Sequence, residues 1–149
     1  MPRLPLPPRW LRIAGLLAVV GVIVYFSLLD APGPPPTGPP GPWYDKQLHF
    51  ASYAAVTVAA AGATIEIGGR RWYRIGVVVA FAVAFGIGIE LAQWPLANRY
   101  ASLGDVAANV AGTALGSLWF PVEARFGYAT DPLDDAGDTA DAADVDSID

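Results

Sequence analysis

Residues 75–94 read IGVVVAFAVAFGIGIELAQW, and this stretch decides the fold class. Its one charged residue is Glu90, and no polar stripe interrupts the apolar run that precedes it. A helix on the surface of a soluble bundle shows such a stripe, whereas a helix that crosses the hydrocarbon core of a membrane needs roughly 20 apolar residues. The sequence therefore predicts a transmembrane helix over residues 75–94.

Three further apolar runs extend this prediction to a bundle. We name the predicted spans TM1 (11–29), TM2 (46–66), TM3 (75–94) and TM4 (103–120). A bilayer offers no hydrogen-bond partners to the backbone, so single-segment spans are helical. We expect an all-α, polytopic membrane protein with four transmembrane helices in a compact bundle and a core over residues 45–122.

The first run has an alternative interpretation as a secretory signal peptide, because three arginines precede or open it. Its apolar core, however, exceeds the usual ~7–15 residues, and no A-x-A cleavage site follows. Residues 30–44 are instead rich in proline and glycine, which predicts a stiff, extended external loop.

The basic residues predict the orientation. The positive-inside rule counts Lys and Arg beside short loops. With the N-terminus in the cytoplasm, seven arginines face inward, against Lys46 and Arg99 outside. The inward set is Arg3, Arg9, Arg12, Arg70, Arg71, Arg74 and Arg125. We expect a plasma-membrane protein with both termini in the cytoplasm, including the basic segment 1–10.

The amino-acid composition excludes some kinds of chemistry and sets the tail apart from the rest of the chain. The chain has no cysteine, which excludes disulfides and thiolate chemistry. Eight of its 14 acidic residues are aspartates in the last nineteen positions, so residues 123–149 are predicted to be a cytoplasmic, disordered tail. Arginine outnumbers lysine eight to one, a halophile-like composition. Because the arginines act as topology signals, we expect no nucleic-acid partner.

Polar residues from three segments fall at the outer ends of the predicted spans. At about 1.5 Å per residue, all of them lie within about two turns of the outer surface. An ionisable group inside a membrane is by default a functional-site hypothesis. The set comprises Asp45, Lys46, His49 and Tyr53 on TM2, Glu90 and Gln93 on TM3, and Arg99, Ser102, Asp105 and Asn109 at TM4.

Simpler local roles stand beside this hypothesis. Ser102 and Asp105 have the spacing of a helix-capping box, and Asp45 is a possible N-cap of TM2. Lys46 has the length to reach the lipid head groups. A lone histidine such as His49 is more often structural than catalytic, but four acidic or amide groups from two other segments at the same depth reverse that judgement here.

Two acids and one row of small residues predict specific contacts. Glu90 needs a partner, for which Arg99, Lys46 and His49 are the candidates. Glu66 stands four residues before Arg70, the spacing of an ordinary helical ion pair. Small residues at 108, 112 and 116 predict a close approach of TM4 to another helix.

The segments DKQLHFASYA and GIELAQWPLANRYASLGDVAANVAGTALG resemble the VanZ-like family of small integral membrane proteins. The family pattern is D-K-x-x-H-F-x-x-Y, then E-x-x-Q, then Arg and Ser in a short loop, then D-x-x-x-N-x-x-G. It matches Asp45, Lys46, His49, Phe50, Tyr53, Glu90, Gln93, Arg99, Ser102, Asp105, Asn109 and Gly112. The resemblance implies the architecture and the polar cluster, and it implies no defined activity.

Three functions fit the sequence. The first is an outward-facing site that binds or processes an anionic lipid or envelope precursor, with His49 as acid or base, Glu90 or Asp105 orienting it, and Lys46 and Arg99 holding a phosphate. The second is a non-catalytic accessory protein whose polar cluster clasps helix ends. Ion or proton translocation is the weakest, because the inner halves of the spans offer few polar groups. We expect membrane lipids as partners, no cofactor and no metal, since no dedicated ligand motif accompanies His49. The sequence leaves the oligomeric state open.

Overall fold

A computed structural model describes residues 3–29, 43–67, 70–95 and 102–129. The elements, in chain order, are β1 (Arg3–Pro5), α1 (Arg9–Val24), α2 (Tyr44–Ala63), α3 (Arg71–Gln93), α4 (Leu103–Ser117), α5 (Trp119–Glu123) and β2 (Gly127–Ala129). A π-helical segment, Tyr25–Leu29, continues α1. The described chain is therefore helical, as expected, apart from two three-residue strands.

Two helices are long and apolar enough to cross a membrane by length and composition. They are α1 with its π-helical extension, Arg9–Leu29, and α3, Arg71–Gln93. The first turns of α2 carry Asp45, Lys46 and His49, which lower its hydropathy, and α4 has only 15 residues. In the described residues, therefore, two of the four predicted spans meet this test by themselves.

The end of α4 has a local cause in the sequence. Leu118 separates α4 from α5, and Pro121 follows inside α5. Proline has no N–H to donate to the carbonyl four residues earlier, here that of Ser117. The predicted span 103–120 is thus divided into a helix and a short helical continuation.

Glycines let α4 lie directly against α2. A Cβ atom at Gly112 would lie 2.2 Å from the Phe50 carbonyl oxygen, and one at Gly116 would lie 2.7 Å from the Ala54 carbonyl oxygen. Such distances leave no room for any side chain but hydrogen. The row of small residues therefore serves the close approach that its spacing predicted, and the structure identifies α2 as the partner.

Hydrogen bonds at the two ends of the helices show that α1 to α4 alternate in direction along the chain, so that α2 and α4 run parallel. The starts of α1 and α3 meet the end of α2, and we call this the arginine end. Here Arg12 donates to the Gly62 carbonyl oxygen at 2.9 Å, and Arg74 donates to that of Ala61 at 2.5 Å. The starts of α2 and α4 meet at the opposite end, which we call the polar end.

The arginine end contains ion pairs that the sequence did not reveal. The Arg12 guanidinium, 6% exposed, pairs with Glu66, and Arg9 lies 3.3 Å from the same carboxylate. The expected partner of Glu66 was Arg70. The pairing with α1 replaces it because the end of α2 packs beside the start of α1.

A second ion pair, largely buried on both sides, joins α3 to α5. Arg74 Nη2 lies 3.0 Å from Glu123 Oε1, with side-chain exposures of 14% and 8%. The same guanidinium stands 5.1 Å from the centre of the Phe120 ring. Together with Arg12 and Glu66, this pair connects α1, the end of α2, α3 and α5.

The disorder predicted for the tail from residue 123 is wrong for its first residues. Glu123 ends α5, and Gly127–Ala129 pairs in parallel with Arg3–Pro5. The Glu123 ion pair holds this segment near the arginine end, where β1 precedes α1. The remaining tail, 130–149, and most of the predicted loop 30–44 lie outside the described residues.

Candidate functional site

The polar end brings together side chains from α2 and α4 that are about sixty residues apart in sequence. Lys46 Nζ donates to Asp105 Oδ1 at 3.1 Å. Gly104 makes this possible, because a Cβ atom there would lie 2.7 Å from Lys46 Cε. Lys46 thus crosses the start of α4 at a glycine and reaches a buried carboxylate.

Asp105 is held by the cap of its own helix as well. Its backbone N–H donates to Ser102 Oγ at 3.2 Å, and Ser102 Oγ donates to Asp105 Oδ2 at 2.6 Å. Ser102 is the N-cap and Asp105 the third helical residue, so the predicted capping pair is present. Asp45, by contrast, is the second residue of α2, whose N-cap is Trp43; the N-cap role suggested for Asp45 was wrong.

His49 is oriented by an amide and not by a carboxylate hydrogen bond. Its Nδ1 lies 3.0 Å from Asn109 Oδ1. An amide oxygen only accepts, so Nδ1 carries the proton in this arrangement. The other ring nitrogen, Nε2, lies 3.9 Å from Asp45 Oδ1. In a neutral ring, Nε2 is therefore the nitrogen that is free to accept a proton.

Glu90 differs from the other acids of the polar end. Both of its carboxylate oxygens are shielded from solvent and have no hydrogen-bond partner in the described part of the chain. The hydroxyl oxygen of Tyr53 is likewise shielded from solvent and has no hydrogen-bond partner in the described residues. Arg99, one of the three partners expected for Glu90, lies outside the described residues, and the hydrogen bonds of Lys46 and His49 go to α4.

Glu90 and Tyr53 line one cavity of about 360 Å³ between α3 and α4. Most of its remaining lining is apolar, and it also includes Ser102, Asn109 and Thr113. Ligand pockets range over roughly 300–1,000 Å³ and combine an apolar lining with a few polar groups. This cavity has both properties.

Gln93 lies three residues after Glu90 on α3 but contacts a different part of the chain. Its amide nitrogen donates to the Ser27 carbonyl oxygen of the π-helical segment at 3.1 Å. It lines a second cavity, of about 340 Å³, with Asp45, His49 and Tyr53. Glu90 and Gln93 therefore lie on different cavities, and the ring of Tyr53 borders both.

Three side chains of the polar end have the geometry of metal ligands. One donor atom each from Asp45, His49 and Asp105 lies within 4.8 Å of the others. The Lys46 ammonium, however, lies 3.1 Å from Asp105 and 4.0 Å from Asp45. Because this ammonium already neutralises the buried carboxylate, the donor set does not fit a resident metal ion.

The ten predicted site residues divide into three groups. Six of them form the connected polar cluster of α2 and α4, namely Asp45, Lys46, His49, Ser102, Asp105 and Asn109. Glu90 and Tyr53 border it without hydrogen bonds between side chains, and Gln93 bonds to the π-helical segment. Arg99 is outside the described residues.

Sequence reasoning missed the arginine end as a structured site. Arg12 and Arg74 each lie about one turn into an apolar helix, a position that favours a partnered side chain over a loop charge. That depth was the available signal.

A scan against protein-family models and searches of curated proteins and of solved structures find no match to this chain.

Proposed function

We propose that this chain is a four-span plasma-membrane protein of the VanZ-like type, with both termini in the cytoplasm. Two helices of spanning length support it. Side chains on the outer faces of the other helices do too, since Val58, Leu103, Val106 and Val110 are exposed. A continuous helix as long as the segment from Leu103 to Glu123 would extend over about 31 Å at 1.5 Å per residue, close to the ~30 Å of a bilayer core.

The absence of cysteine makes this topology directly testable. Trp43 begins the polar end and Trp72 lies at the arginine end, with exposures of 70% and 78%. In Trp43→Cys, a membrane-impermeant maleimide is expected to label intact cells. In Trp72→Cys, labelling is expected only after permeabilisation. Equal labelling of both variants in intact cells contradicts the four-span arrangement.

At the polar end, we propose a site for an anionic lipid or an envelope precursor. The observation that carries the proposal is the convergence of α2, α3 and α4 at one cavity, beside a polar cluster that contains the Lys46 ammonium. Lys46, with a side chain 31% exposed, and Arg99 are the groups proposed to hold a phosphate. Both are cations, and a phosphate accepts several charge-assisted hydrogen bonds.

His49 adds a chemical group at the second cavity, next to this binding site. His49 lines the second cavity, and Asn109 fixes its ring through Nδ1. A neutral imidazole held in this way has the arrangement of a general base. The geometry supports Asn109 as the orienting residue in place of Glu90 or Asp105.

The test separates binding from folding. Alanine is substituted at His49, Glu90 and Asp105 in turn, and each purified variant is examined for insertion, folding and co-purifying lipids by native mass spectrometry. Loss of one lipid class in all three folded variants supports the site. The proposal fails if folded variants keep the wild-type lipid profile and cellular phenotype.

A structural clasp is the second candidate, and one observation favours it. Hydrogen bonds join α2 to α4 directly, from Lys46 to Asp105 and between His49 and Asn109, and Ser102 donates a further hydrogen bond to Asp105. A clasp predicts that each cluster variant loses function in proportion to its loss of stability. Stable variants without function exclude it.

A further inference from the structure

We propose that the cavity between α3 and α4 binds an amphiphile whose head group is a primary ammonium paired with Glu90. The inference rests on the proposed function, because the ligand lies at the same polar end, and it adds the chemistry of the head group. Among membrane lipids, an aminophospholipid carries both this ammonium and a phosphate.

The Glu90 carboxylate is the first reason. Both oxygens are shielded and lack partners in the described residues. A buried ionised carboxylate is unfavourable unless it is paired and hydrogen-bonded. An ammonium supplies both a positive charge and three N–H donors. An ammonium bound in the cavity would therefore both neutralise the Glu90 carboxylate and donate hydrogen bonds to its oxygens.

The charge balance of the polar end is the second reason. The described residues there contain three carboxylates, those of Asp45, Glu90 and Asp105, and one ammonium, that of Lys46, besides the His49 ring, whose hydrogen bond goes to Asn109. Lys46 is hydrogen-bonded to Asp105, so it does not neutralise Glu90. The cavity therefore favours a cation, and a phosphate fits better on the Lys46 side of the cluster.

The lining of the cavity indicates an apolar body behind the head group. Ile87, Leu91, Val106 and Val110 line it and are themselves exposed, by 44–63%. Exposed apolar side chains at the border of a cavity give access from the hydrocarbon side of a membrane. An alkyl chain entering between α3 and α4 thus brings its head group to Glu90.

Tyr53 supplies a second polar contact. Its hydroxyl lines the same cavity without a partner. Gly86 makes space for it, because a Cβ atom there would lie 3.2 Å from this hydroxyl and 3.0 Å from the ring. A phenol hydroxyl both donates and accepts, so it can accept from an ammonium that also bonds to Glu90.

The experiment compares three probes with the same tail, namely dodecylamine, dodecanol and dodecyl phosphate. Each is titrated into the purified full-length protein in a non-ionic detergent, and bound adducts are counted by native mass spectrometry. We expect dodecylamine to bind about tenfold more tightly than dodecanol, since charge-assisted hydrogen bonds are about twice as strong as neutral ones. Glu90→Gln is expected to remove this preference, and dodecylamine should raise the Tm of the wild type but not of the variant.

Controls distinguish this inference from the proposed function. Glu66→Gln changes a carboxylate at the arginine end and is expected to keep the amine preference. Lys46→Met is expected to weaken dodecyl phosphate binding and to leave the amine preference intact. If dodecylamine binds as expected but dodecyl phosphate does not bind, the proposed anionic ligand is wrong and the ammonium site stands. If Glu90→Gln binds dodecylamine as the wild type does, or if dodecanol binds equally well, the ammonium site is overturned.

Discussion

Replacing Gly112 by alanine tests whether direct backbone contact between α2 and α4 holds the polar end together. The new Cβ atom would lie 2.2 Å from the Phe50 carbonyl oxygen and 3.1 Å from the Ala54 backbone nitrogen. A carbon–oxygen contact needs about 3.3 Å, so the two helices must separate by about 1 Å at this point. The obstacle is backbone, which cannot rotate away as a side chain can.

Gly88→Ala is the matched control, because a Cβ atom at Gly88 meets nothing within 4 Å. Both substitutions gain the same helix propensity, about 1 kcal/mol, so their difference isolates the cost of overpacking. That cost is typically about 1–3 kcal/mol. We therefore expect Gly88→Ala to be more stable than the wild type and Gly112→Ala to be about 1–3 kcal/mol less stable than Gly88→Ala.

The assay is unfolding in mixed micelles by titration with a denaturing detergent, followed by far-UV circular dichroism. Separation of α2 from α4 also lengthens the Lys46–Asp105 and His49–Asn109 contacts, so lipid retention should fall in Gly112→Ala alone. The reasoning is refuted if Gly112→Ala unfolds at the same denaturant fraction as Gly88→Ala, or later.

Three further substitutions have outcomes that the contacts predict. Ser102→Ala should lower the free energy of unfolding by about 1 kcal/mol through loss of the N-cap. Ser117→Ala removes a hydroxyl from the same helix and should lower the free energy of unfolding by less. Equal losses in the two variants contradict a capping role. Arg74→Met should lower the free energy of unfolding by about 3–5 kcal/mol, because it removes the guanidinium that pairs with the buried Glu123 carboxylate, and adding Glu123→Gln should recover part of that loss in a double-mutant cycle; purely additive losses in the same unfolding assay exclude the ion pair. Tyr53→Phe should raise the free energy of unfolding, since it removes a buried hydroxyl without a partner; a lower thermal midpoint shows that the hydroxyl is bonded.

Local sequence signals anticipated single elements of the polar end well. The spacing of Ser102 and Asp105 predicted a capped helix start, because such a cap depends on residues three apart in the chain. The glycine at 112 likewise predicted close packing, since only backbone separation limits two helices there. These features depend on short-range geometry, which the order of residues determines.

Partnerships between helices were decided by the tertiary structure alone. The sequence offered Arg99, Lys46 and His49 as partners for Glu90, yet Lys46 and His49 bond to α4 and Glu90 faces a cavity. Gln93 shares a helical face with Glu90 by spacing, but the π-helical segment lies close enough to take its amide hydrogen bond.

The sequence by itself predicted a helical chain with four spans, of which two have spanning length in the described residues, and one end that gathers acids, amides and a histidine. Apolar run length and helical spacing are sufficient for these conclusions. Which carboxylate is neutralised and which is left facing a cavity depends on the rotation and distance of neighbouring helices. Those follow from close packing at Gly112 and Gly116, where α2 and α4 touch. A carboxylate and its counter-charge about sixty residues away can be matched only after that packing is known.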